Sequence, residues 1–387
     1  MVAAVRNGES QRSVATRFGV TLSTVQRWVS QAEGQRLDRV DWSGARGGRR
    51  EGQATASDVE DLILSLRKEL REASDLGEFG AAAIHRELMA RKKTRALKTV
   101  PSLRTIGRIL ERRGALDGQR RVRRPPPPKG WYLPDVAARQ SELDSVDIVE
   151  GLVIRGGLQV EVLNVISLHG GLCESWVSET ATSKFTVEKL LSHWLIHGLP
   201  TYAQFDNDTI FQGAHQWPDS FGRVIRLCLQ LKVIPVFAPP RETGFQAMIE
   251  AYNGRWQDKV WQRFVYTSHA DLQAQSDRFT AAVRLRATPR IETAPKRRPF
   301  PKRWKLDFKK PLEGQVVFIR RTSATGEVEV LRRKYMVNAK WCNRLIRCVV
   351  DLTQGRLRFY RLRRRAPTQQ PLLKDRVYNV PTKRFQD

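Results

Sequence analysis

Apolar residues recur at helical spacing on both sides of a short break near the start of the chain. The break is Gly19, Val20 and Thr21, and the apolar positions around it within residues 11–32 are Val14, Phe18, Val25, Trp28 and Val29. This pattern predicts a helix-turn-helix within residues 1–35. Its second helix would present residue types that reach phosphates and base edges in a major groove: Ser23, Thr24, Gln26 and Arg27. The alternative is a helical hairpin that packs on the rest of the protein.

A second helical unit is predicted over residues 56–122, after a Gly- and Arg-rich linker of residues 36–55. Three helices are expected near residues 56–73, 80–90 and 102–113, with Ser102 as an N-cap. In the last helix Leu103, Ile106, Ile109 and Leu110 form an apolar stripe, and the basic residues off this stripe are Arg104, Arg108 and Arg112. The unit resembles a winged helix-turn-helix whose arginines contact DNA, although arginines often only solvate a helix face.

The pattern then changes to strand-like apolar runs that alternate with helical stretches. A basic, proline-rich linker at 123–137 precedes this region. Strands are predicted at 143–149, 158–167, 172–177, 202–205 and 233–237, and helices at 183–196, 222–232 and 245–264. The predicted elements follow the order three strands, helix, strand, helix, strand, helix. This is the order of a ribonuclease-H-like α/β domain, which we place at residues 138–286.

The C-terminal part is predicted to add a small all-β module. Residues 287–312 are too basic and too rich in proline for a core element and are interpreted as a linker. Four short alternating runs within 313–364 predict an SH3-like β-barrel, and 365–387 is expected to be a tail. The expected fold class is multidomain: all-α helix-turn-helix modules, a central α/β ribonuclease-H-like core and a C-terminal barrel.

The amino-acid composition indicates which class of partner the protein binds. With 68 Lys and Arg against 40 Asp and Glu the net charge is +28, which favours binding to a polyanion such as nucleic acid. The four cysteines form no CxxC pair and are expected to be reduced core residues. No apolar run approaches the ~20 residues that span a bilayer. We expect a cytoplasmic protein associated with the nucleoid and no membrane partner.

Three carboxylates fall on separate elements of the predicted α/β domain. Asp144 lies on the first strand, Asp206 follows the fourth strand, and Glu250 lies on the last helix. Phosphodiester chemistry uses two divalent cations ~3.5 to 4 Å apart, and Mg²⁺ or Mn²⁺ prefers carboxylate oxygens. A single Asp or Glu is usually a solvated surface charge, so only the joint placement predicts a two-ion site held by these residues.

The motifs around these carboxylates resemble those of integrase-type insertion-sequence transposases and retroviral integrases. The matching segments are SELDSVD (141–147), FDNDTIF (205–211) and MIEAYNGRW (248–256). The resemblance implies an Asp, Asp, Glu triad at Asp144, Asp206 and Glu250 on a ribonuclease-H-like fold. It also implies metal-dependent cleavage and strand transfer on double-stranded DNA, both element ends and target, by a homo-multimer.

Several positions depart from the family pattern or compete with the chosen residues. Asp208 stands where the family usually has Gly. The usual Arg after the Glu is Ala251 here, so its phosphate-holding role would pass to Arg255 or Lys259. The His-His-Cys-Cys zinc module of retroviral integrases is lacking, which favours a bacterial-type element.

Two further carboxylates compete with the chosen triad. The family's frequent 35-residue spacing would select Glu242, since residues 207–241 number 35, but Glu242 follows two prolines in a predicted loop. Asp147 competes with Asp144; we place both on one face of the strand and prefer Asp144 on its motif.

Two other functions remain open at this stage. A ribonuclease-H-like nuclease that only cleaves would share the triad but would not require the helix-turn-helix modules and the barrel. A transposase-derived DNA-binding protein without turnover would keep the fold alone. We rank these below the transposase because all three carboxylates and the DNA-binding modules occur in one chain.

Overall fold

The computed structural model describes residues 1–42, 55–91, 97, 99–116, 129–214, 216–242 and 244–379. The chain divides into two compact units, Met1–Leu64 and Ser65–Asp387. In the part of the chain so described, no helix combines the length and apolar character that crossing a membrane requires. Most of the linker predicted at 36–55, the end of the second helical unit and the start of the linker at 123–137 lie outside the described residues.

The first unit begins with the predicted helix-turn-helix. Helices α1, α2 and α3 span Val2–Arg6, Gln11–Phe18 and Leu22–Gln31. The Ser10 side chain caps α2, and Gly19 ends it in the left-handed conformation at φ 62°, which glycine adopts without strain. Val14 and Val25 are fully buried between the helices, whereas Phe18, predicted to face inward, is 46% exposed at the last position of α2. The prediction of a helix-turn-helix is confirmed.

The next three helices lie close to their predicted positions. They are α4 (Ser57–Ala73), α5 (Ala81–Ala90) and α6 (Leu103–Arg112). The Ser102 hydroxyl caps α6 by accepting a hydrogen bond from the Thr105 backbone N–H at 3.3 Å. Ile106, Ile109 and Leu110 are buried, but Leu103 is 51% exposed, so the apolar stripe of α6 is narrower than predicted.

A nine-stranded sheet forms the centre of the second unit, with the spatial order β11-β10-β9-β6-β5-β4-β1-β2-β3. The five strands predicted for the core are β1 (Leu143–Ile154), β2 (Leu158–Ser167), β3 (Cys173–Ser178), β4 (Tyr202–Phe205) and β5 (Ile234–Phe237). Strands β1, β2 and β3 pair antiparallel, while β4 pairs parallel with both β1 and β5. Short helices α7 (Pro134–Ala137) and α9 (Thr209–Gln212) precede β1 and follow β4.

Helices cover both faces of this sheet. One face packs against α8 (Ser183–His197) and α10 (Arg223–Gln230), and its core includes Val146 and Trp194. The other face packs against α11 (Ala247–Trp256) and α12 (His269–Glu292), and its core includes Val149 and Tyr252. Side chains alternate along a strand, so even and odd positions at the start of β1 enter different cores.

The C-terminal strands extend the central sheet, and a separate SH3-like barrel is not confirmed. These strands are β6 (Gln315–Arg321), β9 (Leu345–Asp351), β10 (Arg356–Arg361) and β11 (Leu372–Val377), with a β7–β8 hairpin at Glu327–Val330 and Arg333–Met336. Strand β6 pairs parallel with β5 and stacks Phe318 on Phe237, with 5.0 Å between the ring centroids. Alternating apolar positions predict a strand but not its partner, which is why the sequence suggested an independent module.

Three other predicted segments differ from the structure. Helix α12 runs to Glu292 through Pro289, so the predicted linker at 287–312 begins inside a helix. The helix predicted at 245–264 is α11 followed by a π-helical turn, Gln257–Trp261. The predicted tail at 365–387 contributes β11 to the edge of the sheet, and its last residues, 380–387, lie outside the described residues.

Candidate carboxylate site on the central sheet

Asp147 and Asp206 come together because of the pairing between β1 and β4. The parallel register aligns Ser145 with Gln204. Continuing that register by two residues brings Asp147 level with Asp206, and a step of two residues keeps each side chain on the same face. Asp147 is therefore the β1 carboxylate that meets Asp206.

Glu250 lies on helix α11, which Asn253 fixes against this face of the sheet. The Asn253 side-chain amide donates to Asp147 Oδ2 at 2.7 Å, and its carbonyl oxygen accepts from the Asn164 amide on β2 at 2.8 Å. Glu250 lies three residues earlier and hence on the same side of the helix. The buried Tyr252 hydroxyl, 2.8 Å from Ser175 Oγ, joins α11 to β3 beside this contact, because Ser175 pairs with Asn164.

Asp147 is sensitive to burial and to the charges of the other two carboxylates. Burial, followed by the negative charges of Asp206 and Glu250, raises the pKa of Asp147 from 3.8 to about 7. Like charges gathered in a partly buried place disfavour ionisation unless a cation balances them. The three carboxylates thus offer oxygen ligands of the kind that Mg²⁺ or Mn²⁺ prefers, in a setting that a divalent cation would stabilise.

Asp208, the extra carboxylate near Asp206, has a local structural role. Its side chain caps α9 by accepting from the Ile210 backbone N–H at 2.7 Å. Its own backbone N–H donates to Asp206 Oδ1 at 2.9 Å and so orients that carboxylate. Its charge still adds to the field, because burial and the charges of Glu161, Asp208 and Asp206 together raise the pKa of Glu150.

Asp144 is not part of this group, and its placement on the same face as Asp147 was wrong. The two positions differ by three, and an odd step along a strand reverses the face. Asp144 is fully buried on the α8 side, where Arg297 donates two hydrogen bonds of 2.7 Å and the Trp194 indole donates one of 3.0 Å. Burial alone would raise the pKa of Asp144, but the Arg297 charge and hydrogen bonds outweigh it and hold the pKa below 3.8.

Glu242 and Glu250 have different surroundings, which distinguish them as candidates for the third carboxylate. Glu242 follows β5 in a loop and forms an ion pair with Arg321 on β6. Glu250 lies in the first turn of α11, is exposed, and contributes to the raised pKa of Asp147. The arrangement favours Glu250 as the third carboxylate.

The basic residues proposed on α11 and its π-helical extension have different environments. Arg255 is exposed, with its guanidinium 6.0 Å from the Tyr252 ring centroid. Lys259 packs its side chain against Gly77 and lies 5.8 Å from the Phe79 ring centroid. Of the two, Arg255 is the one whose charge is open to a ligand.

The residues predicted to bind DNA lie at the surfaces of their helices. On α3, Ser23, Gln26 and Arg27 are exposed, and Thr24 is half-buried with its hydroxyl 2.9 Å from that of Thr21. On α6, the basic residues are all exposed: Arg104, Arg108 and Arg112. Their positions are compatible with the predicted role.

Sequence reasoning missed Asn253 and Arg297. Asn253 stands within the MIEAYNGRW segment, three residues after Glu250, and the i, i+3 relation could have identified it as a residue on the site-facing side of the helix. Arg297 lies 153 residues from Asp144 in a stretch interpreted as a linker, and no local pattern marks it.

Known proteins resemble two parts of the chain, the N-terminal helices and the region that contains the central sheet. A family model for a homeodomain-like domain matches residues 1–40. The BIV integrase catalytic core is 15% identical over 36% of this chain and 81% of that chain, with a TM-score of 0.28. An intasome of simian T-cell lymphotropic virus is 12% identical over 72% of this chain and 92% of that chain, with a TM-score of 0.33.

The HTLV-2 integrase catalytic core in complex with magnesium is 12% identical over 35% of this chain and 81% of that chain, with a TM-score of 0.27. No curated protein sequence matches the chain.

Proposed function

We propose that this chain is a transposase of the integrase type, a polynucleotidyl transferase that cleaves and joins DNA at Asp147, Asp206 and Glu250. The observation that carries the proposal is the register of β1 and β4, which sets Asp147 level with Asp206 on the face of the sheet that α11 covers. The charges of Asp206 and Glu250 add to burial in raising the pKa of Asp147. Asp147 replaces Asp144 in the triad expected from the sequence.

The residues of the site have separable tasks. Asp147, Asp206 and Glu250 would hold two Mg²⁺ or Mn²⁺ ions, which when bound activate the attacking oxygen and neutralise the leaving oxygen of a phosphodiester. Asn253 orients Asp147 directly and fixes the helix that carries Glu250. Arg255 is exposed one turn beyond Glu250, where its charge would hold a DNA phosphate.

DNA binding is assigned to the helical modules and the basic surface. The exposed polar side chains of α3 suit base edges, and the net charge of +28 suits the phosphate backbone of element ends and target DNA. Two element ends must be held in one complex for concerted joining. We therefore expect a homo-multimer on DNA, which crosslinking on paired ends would detect and a monomer active in concerted joining would disprove.

The decisive experiment compares matched substitutions in a strand-cleavage and strand-transfer assay with Mg²⁺. Asp147→Asn, Asp206→Asn and Glu250→Gln should each abolish both reactions while DNA binding persists, because each keeps shape and removes charge. Asp144→Asn and Glu242→Gln are the controls, and both should keep activity per folded molecule.

The controls also give the outcomes that would contradict the proposal. An active Asp147→Asn together with a correctly folded but inactive Asp144→Asn would return the triad to Asp144. An inactive Glu242→Gln beside an active Glu250→Gln would select Glu242. Cleavage without joining by the wild-type protein would favour a nuclease, and DNA binding with neither reaction would favour a protein without turnover.

A further inference from the structure

A second cluster of potential metal ligands lies on the other face of the sheet, away from the proposed catalytic carboxylates. It consists of Glu174 on β3 and of His193 and His197 on α8, and one ligand atom from each lies within 4.8 Å of the others. The two histidines are four residues apart, so they share one face of the helix. Their ring centroids are 4.9 Å apart, and His197 Nε2 lies 3.4 Å from Glu174 Oε1.

His193 gives an independent indication of a ligand. Its side chain is fully buried, yet within the described part of the chain neither ring nitrogen has a hydrogen-bond partner. A buried polar group without a partner is costly, and such groups in native structures generally bind something. The neutral form of the histidine ring is the one that binds a metal.

We propose that Glu174, His193 and His197 form a site for a divalent cation of the zinc type. Two imidazoles and one carboxylate suit Zn²⁺ better than Mg²⁺, which prefers oxygen ligands alone. The side chains of His197 and Glu174 remain 22% and 17% exposed, so an ion and a fourth ligand can enter from solvent.

The charged side chains around the site determine how a cation would bind there. Arg284 on α12 forms an ion pair with Glu174, and Arg297 forms one with the neighbouring Asp144. A dication therefore replaces Arg284 on the carboxylate, since both compete for the same negative charge. The Arg284 side chain is 29% exposed and can turn into solvent.

Asp144 completes the surroundings of the proposed site. Its Oδ2 atom lies 3.8 Å from His193 Nε2. A histidine that binds a metal through one ring nitrogen commonly directs its other N–H at a carboxylate, which fixes the ring. The buried Asp144, which the proposed catalytic triad does not use, offers that carboxylate once the other nitrogen of His193 binds the ion.

The test is a Zn²⁺ titration of the chelator-treated full chain by calorimetry, with Co²⁺ as a spectroscopic probe. All proteins carry Glu250→Gln, which weakens ion binding at the proposed catalytic carboxylates on the opposite face. His197→Gln should weaken Zn²⁺ binding by at least about tenfold and abolish the visible absorption of tetrahedral Co²⁺. Arg284→Gln should tighten binding, and His85→Gln on α5 is the matched control that should leave it unchanged.

Each outcome bears on the proposal. Equal Zn²⁺ affinity of the parent protein and His197→Gln overturns the site, as does a parent protein that binds no Zn²⁺ at this face. Weaker rather than tighter binding by Arg284→Gln overturns the exchange of Arg284 for the ion. None of these readouts involves DNA cleavage, so they remain interpretable whatever becomes of the proposed function.

Discussion

Asp144 and Asp147 lie three residues apart on β1, and we expect their replacement by asparagine to change the free energy of unfolding in opposite directions. Folding raises the pKa of Asp147 from 3.8 to about 7 through burial and the charges of Asp206 and Glu250. A carboxyl with a raised pKa binds its proton more tightly in the folded state. Its contribution to stability is therefore lost as the pH rises from the unfolded value through 7.

The size of this effect follows from the shift. Each unit of pKa difference corresponds to about 1.36 kcal/mol. Asp147 therefore costs the folded state about 4 kcal/mol at pH 8, where it is ionised, and about 1.6 kcal/mol at pH 5, where folding requires it to take up a proton. Asparagine carries no charge, and its carbonyl oxygen can still accept the hydrogen bond from Asn253. Asp147→Asn should therefore stabilise the metal-free protein, and more strongly at pH 8 than at pH 5.

Asp144→Asn should lower the free energy of unfolding. It removes the charge that faces Arg297 and leaves a guanidinium whose side chain is only 14% exposed without its counter-charge. Breaking a buried ion pair in this way costs about 3 to 5 kcal/mol. The pKa of Asp144 is lowered on folding, so its contribution is present above the unfolded value of 3.8 and is lost as the pH falls through the folded value.

Urea unfolding in the presence of chelator at pH 5 and pH 8 measures both effects. Tryptophan fluorescence is a suitable probe, because Trp194 and Trp256 are fully buried on opposite faces of the sheet. At pH 8 the unfolding midpoint of Asp147→Asn should lie above that of the wild type and the midpoint of Asp144→Asn below it. Two shifts of the same sign would refute the assignment of the aspartates to opposite faces.

Magnesium adds an internal control to this measurement. An ion held by Asp147, Asp206 and Glu250 stabilises only the folded state, so it should raise the midpoint of the wild type. Asp147→Asn should gain little from the same addition. Equal gains by the two proteins would remove Asp147 from the proposed ion site.

Three further predictions follow from the remaining contacts. Asn253→Ala should lower strand-transfer activity by about tenfold or more, because residues that hydrogen-bond to metal ligands typically contribute about 10- to 100-fold. The midpoint of DNA binding should stay unchanged, and full activity would contradict the positioning role of Asn253. Phe318→Ala should destabilise the whole second unit by about 3 to 5 kcal/mol, because the ring is fully buried against Phe237 on β5. If the C-terminal strands formed an independent module, the unfolding midpoint of the α/β core would not change. DNA affinity should fall steeply with salt, with log K decreasing by about 0.9 per phosphate contact for each tenfold rise in salt concentration, and an affinity independent of salt would exclude binding through the basic surface.

Local chemistry in the sequence accounts for much of the fold. Apolar spacing places the helices of the first unit, and Gly19 and Ser102 mark helix ends where the structure has them. The five core strands follow from β-type runs bounded by turn residues. These signals act within a few residues, so they can be read without knowledge of the rest of the chain.

Contacts between distant segments could not be predicted in this way. The partner of Asp144 is Arg297, which a local pattern assigns to a linker because of its basic and proline-rich neighbours. Strand β6 joins β5 through main-chain hydrogen bonds, and any strand of similar pattern could have made them. In both cases the partner lies far away in sequence, so a local pattern does not identify it.

The two aspartates of β1 show that a sequence motif alone does not identify the residues of a site, because the direction of each side chain must also be known. Both are aspartates in the same seven-residue segment, yet Arg297 holds the pKa of one down, whereas burial and the charges of Asp206 and Glu250 raise the pKa of the other. The side-chain alternation of a strand is enough to separate them, given where the strand begins and which face receives α11. Because Asn253 joins α11 to both β1 and β2, the identity of the site depends on this one helix packing against the face that carries Asp147.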